Sequence, residues 1–404
     1  MTSFLGFKER PLGHKLLGLD HLRAFAILIV FLYHYKGLFP HPEWIGSIGK
    51  FGWTGVDLFF VLSGYLISSQ LFLTIAQKKK IIFRTFFLKR FFRIIPAYLV
   101  VLALYFLFPA LREREGLAPL WKYFTFTQNI GLDLRFHGTF SHAWSLCIEE
   151  QFYLFLPLLL ILLVYFRVIK WGIAVLGLLF ACGFVVRLYS WSALLSPFSG
   201  TDDFWIHWYK WIYYPTYCRL DGLLIGVSIA AIYQFRPTLK VAIQKWGNTL
   251  LLISLIILTG AYFLCLDEQT FGASVFGLPL VSFGYGVMVL SAISPASYLY
   301  KFNSAVTARI ATLSYAIYLT HKITIHITHE QFSRLGISEE SNLMFLLCIG
   351  TSLAGALLLN KIIEQPFLRL RDTLLRAKGV SGQQQLAAKA AEEQRLNNPN
   401  TIQL

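Results

Sequence analysis

Of 404 residues, 56% are hydrophobic, 16% aromatic and only 14% charged, and the mean hydropathy is +0.58. Soluble domains carry about a quarter charged residues, and apolar stretches here recur along the whole chain, which excludes a soluble enzyme with a single anchor. The formal net charge of +15 gathers between the apolar stretches, as in Lys78-Lys79-Lys80, where the positive-inside rule wants it; this argues against a nucleic-acid partner.

Apolar runs long enough to cross roughly 30 Å of hydrocarbon predict an all-α, polytopic membrane helix bundle. Its spans fall near 21–39, 54–76, 91–110, 151–167, 171–190, 219–235, 248–266, 274–293, 309–328 and 343–362, about ten in all. The first run leads into Tyr35-Lys36 without a small-residue cleavage site, so it is expected to stay as a span rather than act as a signal peptide. With the N-terminus inside, the basic loops at 78–93, 236–245 and 301 are cytoplasmic, and so is the C-terminus. Residues 1–371 then form the membrane domain. The stretch 372–404 is a basic to polar tail, mostly disordered, with room for a short surface helix over 384–396. No inverted repeat of the kind found in transporters is visible. The five cysteines (Cys147, Cys182, Cys218, Cys265 and Cys348) have neither CxxC nor zinc-like spacing and are read as free thiols, so no metal site is expected.

Ionisable residues in or near the spans mark the chemistry. In the first span Arg23 and His34 are eleven residues apart, about three helical turns, so they share one face some ~16 Å apart along the axis, with Asp20 one turn before Arg23. Arg23 sits where a snorkelling anchor would, and His34 lies well inside the membrane. If the first two spans form a simple hairpin around 40–52, Asp57 reaches the depth of His34 and can orient its imidazole for general-base work. Thr54-x-x-Asp57 equally has the form of a helix capping box. Lys89, Arg90 and Arg93 form a cluster before Pro96 that suits nucleotide phosphates or membrane-lipid headgroups. Glu149 and Glu150 open the next apolar span beside His142 and Trp144, and helix N-termini attract carboxylates for structural reasons too. The aromatic run at 205–214 reads either as a sugar-stacking platform or as an interfacial belt. Arg219 with Asp221, and Glu364 near the end of the last span, complete the charged positions.

Taken together, these segments resemble the transmembrane acyltransferase-3 family. The resemblance rests on Arg23-x10-His34, on GVDLFFVLSGYLI around Ser63 and on the basic stretch ending RIIPAY at Tyr98. It continues through WSLCIEEQFY with Trp144 and Ser145, RLDGLLIG, SYAIYLTH ending at His321, and EQPFLR beginning at Glu364, all in the family's order over residues 19 to about 371. It implies a ten-span acyl-CoA-dependent acyltransferase, usually an O-acetyltransferase, acting on surface carbohydrates, lipids or other exported acceptors. Such enzymes sit in the bacterial inner membrane. The resemblance makes His34 catalytic with Arg23 in the same site, and ties Lys89, Arg90 and Arg93 to the donor. The family usually has arginine where Lys89 stands, and lysine keeps the charge without the bidentate fork. Some relatives also carry an extracytoplasmic hydrolase-like domain. None is expected here, which would leave acceptor recognition to the spans and outer loops.

The expected mechanism docks acyl-CoA phosphates on the basic cluster and presents the thioester near His34. His34 then either deprotonates an acceptor hydroxyl or carries the acyl group transiently itself. Ser63, Trp144 or a backbone amide would meet the oxyanion. Acyl-CoA is a substrate in this scheme, and no permanently bound cofactor is expected. The competing class is a transporter or flippase with Arg23, His34 and Glu149 along a polar path.

Overall fold

The computed structural model describes residues 17–166 and 171–376. Of the tail expected over 372–404, residues 372–376 are helical and the rest lies outside the described residues. Every regular element among the described residues is helical. In chain order these are α1 (Leu17–Leu38), α2 (Glu43–Ile48), α3 (Gly55–Ala76), α4 (Phe83–Leu107), α5 (Leu120–Phe124), α6 (Trp144–Tyr165) and α7 (Gly172–Tyr189). They are followed by α8 (Phe204–Trp208), α9 (Asp221–Phe235), α10 (Pro237–Lys245), α11 (Gly247–Leu264), α12 (Leu278–Ala292), α13 (Tyr298–Lys301), α14 (Ala305–Arg334) and α15 (Asn342–Leu359). Side-chain caps mark three of the starts, with Ser297 accepting from the Leu299 amide at 3.2 Å to begin α13. Ser304 accepts from the Thr307 amide at 3.3 Å to begin α14, and Ser341 accepts from Met344 at 3.1 Å to begin α15.

Eight helices among the described residues are long and apolar enough to cross a membrane, or nine if one bent pair is counted as a span. Two of the expected spans fall short for different reasons. Helix α9 has 15 residues, about 22 Å, and breaks by 110° into α10. Helix α14 has 30 residues but carries Arg309, His321, Lys322, His326, His329, Glu330 and Arg334. Leu178, Val185, Leu252, Ile256, Leu346 and Leu357, on α7, α11 and α15, leave an apolar surface on the outside of the bundle. A chain with that exterior is a multi-pass membrane protein.

Lipid tails are as apolar as leucine, so helices in a membrane associate through close packing and polar contacts. The tightest packing is α3 on α9. A Cβ on Gly64 would come within 2.2 Å of the Leu223 carbonyl oxygen, and one on Gly226 within 2.3 Å of that of Val61. Gly222 and Gly226 thus form a small-xxx-small face.

The connection between α1 and α3 is not a simple hairpin turn. After α2 the chain runs back down α1 as a 3-10 helix (Gly49–Thr54). Gly52 is pressed against the Ile29 carbonyl and Gly55 against that of Ala26, each too close for a Cβ. By Gly55 the chain has therefore descended more than two turns below His34. The segment between α4 and α6 also folds into the bundle, held by Asn129 to the Tyr214 carbonyl (3.1 Å) and Gln151 to the Phe126 carbonyl (2.7 Å). Tyr98 anchors it from below through the Tyr123 carbonyl at 3.3 Å.

Candidate active site

His34, in the last third of α1, faces α14. Its Nδ1 lies 2.8 Å from Nε2 of His321, which is wholly buried. The other nitrogen of His321, Nδ1, lies 3.0 Å from the Ile317 carbonyl and 2.9 Å from that of Tyr318. Carbonyls only accept, so His321 must carry its proton on Nδ1 and present a bare Nε2. His34 then donates from Nδ1, and a neutral His34 keeps Nε2 unprotonated. The backbone of α14, two bonds away, thereby sets the tautomer of His34.

Asp57 is not the partner of His34. It is buried against Arg219, whose Nη2 reaches both carboxylate oxygens at 3.1 and 3.0 Å, and Ser282 Oγ donates to it at 3.4 Å. Equal counting from the 40–52 connection fails because the chain has already descended along α1 before α3 begins. The capping-box reading fails as well: the Thr54 hydroxyl bonds the Phe51 carbonyl at 2.7 Å and Tyr285 at 2.8 Å, and no side chain caps α3. Arg219 and Asp221 do not act as a unit. Asp221 takes Arg187 at 2.5 and 3.2 Å, while Arg219 lies 4.6 Å from the Tyr213 ring and 5.5 Å from that of Trp144.

The remaining polar residues divide between two cavities. One is lined by Arg23, Arg90 and Arg93 together with Ser63, Ser145 and Glu149. Helix α6 begins at Trp144, so Glu149 stands in its second turn rather than at the N-terminus. There it accepts hydrogen bonds from Ser63 (3.1 Å) and from Tyr153, and Arg90 lies 5.3 Å from the Tyr153 ring. Glu149 thus belongs with the arginines and not with His34. Lys89, one residue before Arg90, is exposed and does not line this cavity. Glu364 is buried near Arg93 with its Oε2 on Asn360 at 2.6 Å, outside both cavities.

The second cavity, of about 360 Å³, holds His34, His142, Lys322 and Arg114 under a wall of Trp53, Trp144, Trp205, Tyr209, Tyr213 and Tyr214. That volume suits a small ligand or one or two ring units. Four helices contribute to both cavities; on α1 the lining residues Arg23 and Val30 are seven residues, about two turns, apart, and on the other three they are closer. Trp144 and Ser145 open α6, Val56 and Phe59 stand on α3, and Tyr318 and Lys322 on α14, with the second of each pair no more than about one turn from the first. Where α3, α6 and α14 form it, the partition between the arginine cavity and the histidine chamber is therefore about one helical turn, ~5 Å, thick. Ser145 and Tyr318 close it with a 2.7 Å hydrogen bond, and Tyr318 in turn donates to the His142 carbonyl.

Sequence reasoning missed Lys322 and its partner Glu113, 3.5 Å apart. A lysine directly after a span histidine was the available signal. His142 was noted only as a neighbour of Glu149; in the structure its ring lies 5.8 Å from that of His34 and 5.2 Å from that of His321.

The chain is similar to known proteins over most of its length. The family model described as an acyltransferase domain matches residues 16–361. The peptidoglycan O-acetyltransferase OatA of Listeria monocytogenes is 30% identical over 338 residues, covering 77% of this chain and 49% of that protein. The O-acetyltransferase OatA of Staphylococcus aureus is 29% identical over 320 residues, covering 75% and 49%. A provisionally named O-acetyltransferase of Staphylococcus aureus strain COL is 28% identical over 394 residues, covering 91% and 59%. The chain thus spans between 49% and 59% of the length of these relatives. No solved structure matches it. With the family model extending from the first residues of α1 to the end of α15, the chain belongs to the acyltransferase-3 family.

Proposed function

We propose that this protein is an O-acetyltransferase that moves an acetyl group from cytoplasmic acetyl-CoA to the hydroxyl of a carbohydrate acceptor on the other side of a bacterial inner membrane. The observation that carries this reading is the pair of cavities: three arginines on one side of a partition about one turn thick, and a histidine of fixed tautomer on the other. Arginines suit the phosphates of CoA, and the aromatic wall suits a sugar ring. A thin thioester-bearing arm can thread ~5 Å of side chains where a nucleotide cannot. The Listeria relative is named for peptidoglycan, which favours a carbohydrate acceptor over a lipid. The family match favours transfer over transport.

In this reading His34 Nε2 removes the proton from the acceptor hydroxyl as its oxygen attacks the thioester carbon, and the same proton goes to the departing CoA sulfur. Arg23, Arg90 and Arg93 hold the donor, with Glu149 ordering the cavity through Ser63 and Tyr153. Asp57 acts at a distance, by fixing Arg219 against the aromatic wall. The short α9 and the polar α14 complete ten crossings, with both termini cytoplasmic, because neither can end in hydrocarbon and the basic loops stay inside.

The test is transfer from acetyl-CoA by the purified protein in detergent, with hydroxyl acceptors supplied one class at a time. His34→Gln keeps the size and hydrogen-bonding capacity of the side chain but cannot serve as the base, so transfer should fall about 10²- to 10⁴-fold while CoA still binds. Substantial transfer by His34→Gln would defeat the mechanism.

A further inference from the structure

Lys322 lines the histidine chamber with its side chain only 4% exposed, and its Nζ lies 3.5 Å from Oε1 of Glu113, a carboxylate removed from solvent altogether. Glu113 arrives from the segment between α4 and α6. That segment is turned inward where Thr139 bonds the Arg114 carbonyl at 2.5 Å and where Phe140 adopts φ +56°, a conformation residues with side chains avoid. The turn points the Phe140 amide at Glu113 Oε1, 3.3 Å away. A distorted backbone and a buried charge pair are thus assembled at one spot beside His34.

Stability alone does not account for the pair. A buried ion pair is seldom more stabilising than well-packed apolar residues of the same volume. This one is also a single contact of 3.5 Å, so the ammonium is anchored on one side only. An ammonium has three donors, and Glu113 is its one acidic partner within salt-bridge distance among the described residues. Donors therefore remain for the chamber that Lys322 lines. Among the other candidate donors, Ser63 is committed to Glu149 and Tyr153 in the other cavity, Arg114 is an exposed side chain, and Trp144, which also lines the chamber, offers one neutral N–H in place of a charge.

We propose that Lys322 is a further catalytic residue whose ammonium receives the negative charge of the tetrahedral adduct, and that Glu113 is the positioning residue that holds it there. The proposal rests on acyl transfer at the His34 chamber. As the acceptor oxygen bonds to the acyl carbon, the carbonyl electron pair moves onto the carbonyl oxygen, which Lys322 stabilises, and the hydroxyl proton passes to His34. Collapse re-forms the carbonyl and breaks the carbon–sulfur bond, and the thiolate takes the proton from His34. An alcohol and a thioester become an ester and a thiol. Lys322 ends as it began, because Glu113 beside it favours the charged ammonium throughout. A cation buried next to the imidazole is also matched to the adduct: with the oxyanion present, Lys322 and a protonated His34 are no longer two uncompensated positive charges.

The experiment compares the full chain with Lys322→Met, Lys322→Arg, Glu113→Gln and the Glu113→Gln/Lys322→Met double variant. It measures kcat for acetyl transfer, KM for acetyl-CoA and, separately, CoA binding. Lys322→Met should lower kcat about 10²- to 10³-fold with CoA binding unchanged, as removal of one oxyanion donor does. Lys322→Arg should keep part of the rate, and Glu113→Gln should lie between wild type and Lys322→Met. The double variant replaces the pair by neutral groups of similar volume, so it accumulates even if Lys322→Met leaves an unpaired carboxylate and fails to fold. It should be as slow as the single lysine variant. Wild-type kcat in the double variant, or in Lys322→Met, would overturn the proposal and leave the pair a structural contact. His34→Gln, run alongside, separates the two readings. A slow His34→Gln with a fast Lys322→Met removes only the role of Lys322. A fast His34→Gln with a slow Lys322→Met removes the general base and leaves the lysine standing.

Discussion

The hydrogen bond between His34 and His321 makes the most direct prediction. His321→Leu removes the acceptor for the His34 Nδ1 proton, a buried contact of 2.8 Å, and no other side chain among the described residues bonds that nitrogen. Leaving a buried donor unsatisfied costs about 1–3 kcal/mol. At about 1.4 kcal/mol per decade this corresponds to a fall in rate of roughly 5- to 150-fold. The loss should appear in kcat rather than in KM for the donor. As His34 takes up a proton its bond to His321 becomes charge-assisted, so His321 stabilises the transition state more than the ground state. The arginines that would bind CoA lie on the other side of the partition and are untouched. His321→Gln, which retains an acceptor oxygen, should recover part of the rate. Initial rates of acetyl transfer with varied acetyl-CoA, beside a direct binding measurement, check each point. The double variant with His34→Gln carries the refutation. If His321 acts only through His34, the pair should be no slower than His34→Gln alone. Additive losses, or an undiminished kcat in His321→Leu, would mean that the tautomer argument is wrong.

Arg90→Glu or Arg93→Glu should weaken CoA binding at least tenfold, whereas Lys89→Glu should change it little, because Lys89 lies off the cavity; equal effects at all three positions would point to lipid anchoring instead. Asp57→Asn leaves Arg219 buried without its counter-charge and should destabilise the fold by about 3–5 kcal/mol, seen as a lower thermal midpoint in detergent. Asp57→Asn/Arg219→Met should restore much of the loss, and a normal midpoint with an altered pH profile of transfer would return Asp57 to His34. Reporter fusions at Lys79, Gln244 and the C-terminus should all read cytoplasmic and those near Arg114 and Asp202 external, while an external C-terminus would mean that α9 or α14 does not cross.

The helices were readable because each is an apolar run, and such runs declare themselves one at a time. Their ends were less readable where tertiary contacts decide. The fourth expected span was placed at 151–167, yet its helix starts at Trp144. The first turns of that helix are polar and are held by contacts from distant parts of the chain, such as Tyr318 on Ser145. No local pattern records those partners. Helix α14 was drawn as a 20-residue span although it continues for 30 residues. Its polar half faces other helices rather than lipid, and hydropathy alone cannot tell an inward face from an outward one.

The site was legible to the extent that it lies along one helix. Arg23 and His34 share a helix, so their separation follows from 3.6 residues per turn, and each lines one of the two cavities. Asp57 was misplaced because its depth depends on a connection whose course is set by glycine contacts with α1, at Gly52 and Gly55, and not by its length. Because the chain runs back down α1, the ionisable groups beside His34 come from α14 and from the inward fold between α4 and α6, and most of the aromatic wall comes from 205–214. That geometry explains why the ionisable residues around His34 include His321 and Lys322 from α14 and His142 from before α6, and why the carboxylate paired with Lys322 is Glu113 from the segment between α4 and α6. It also separates the charges by task. The arginine cavity holds Glu149 and three guanidiniums that are fixed in charge, suited to binding an anion. The chamber beyond the partition holds imidazoles and an ammonium, groups that can exchange or share a proton, with Arg114 also on its lining. A transporter would need one continuous polar route between these regions. Here Trp144 and Ser145 of α6 and Tyr318 of α14 stand between them, joined by hydrogen bonds of their own, which fits the proposed transfer better than transport of a free polar solute.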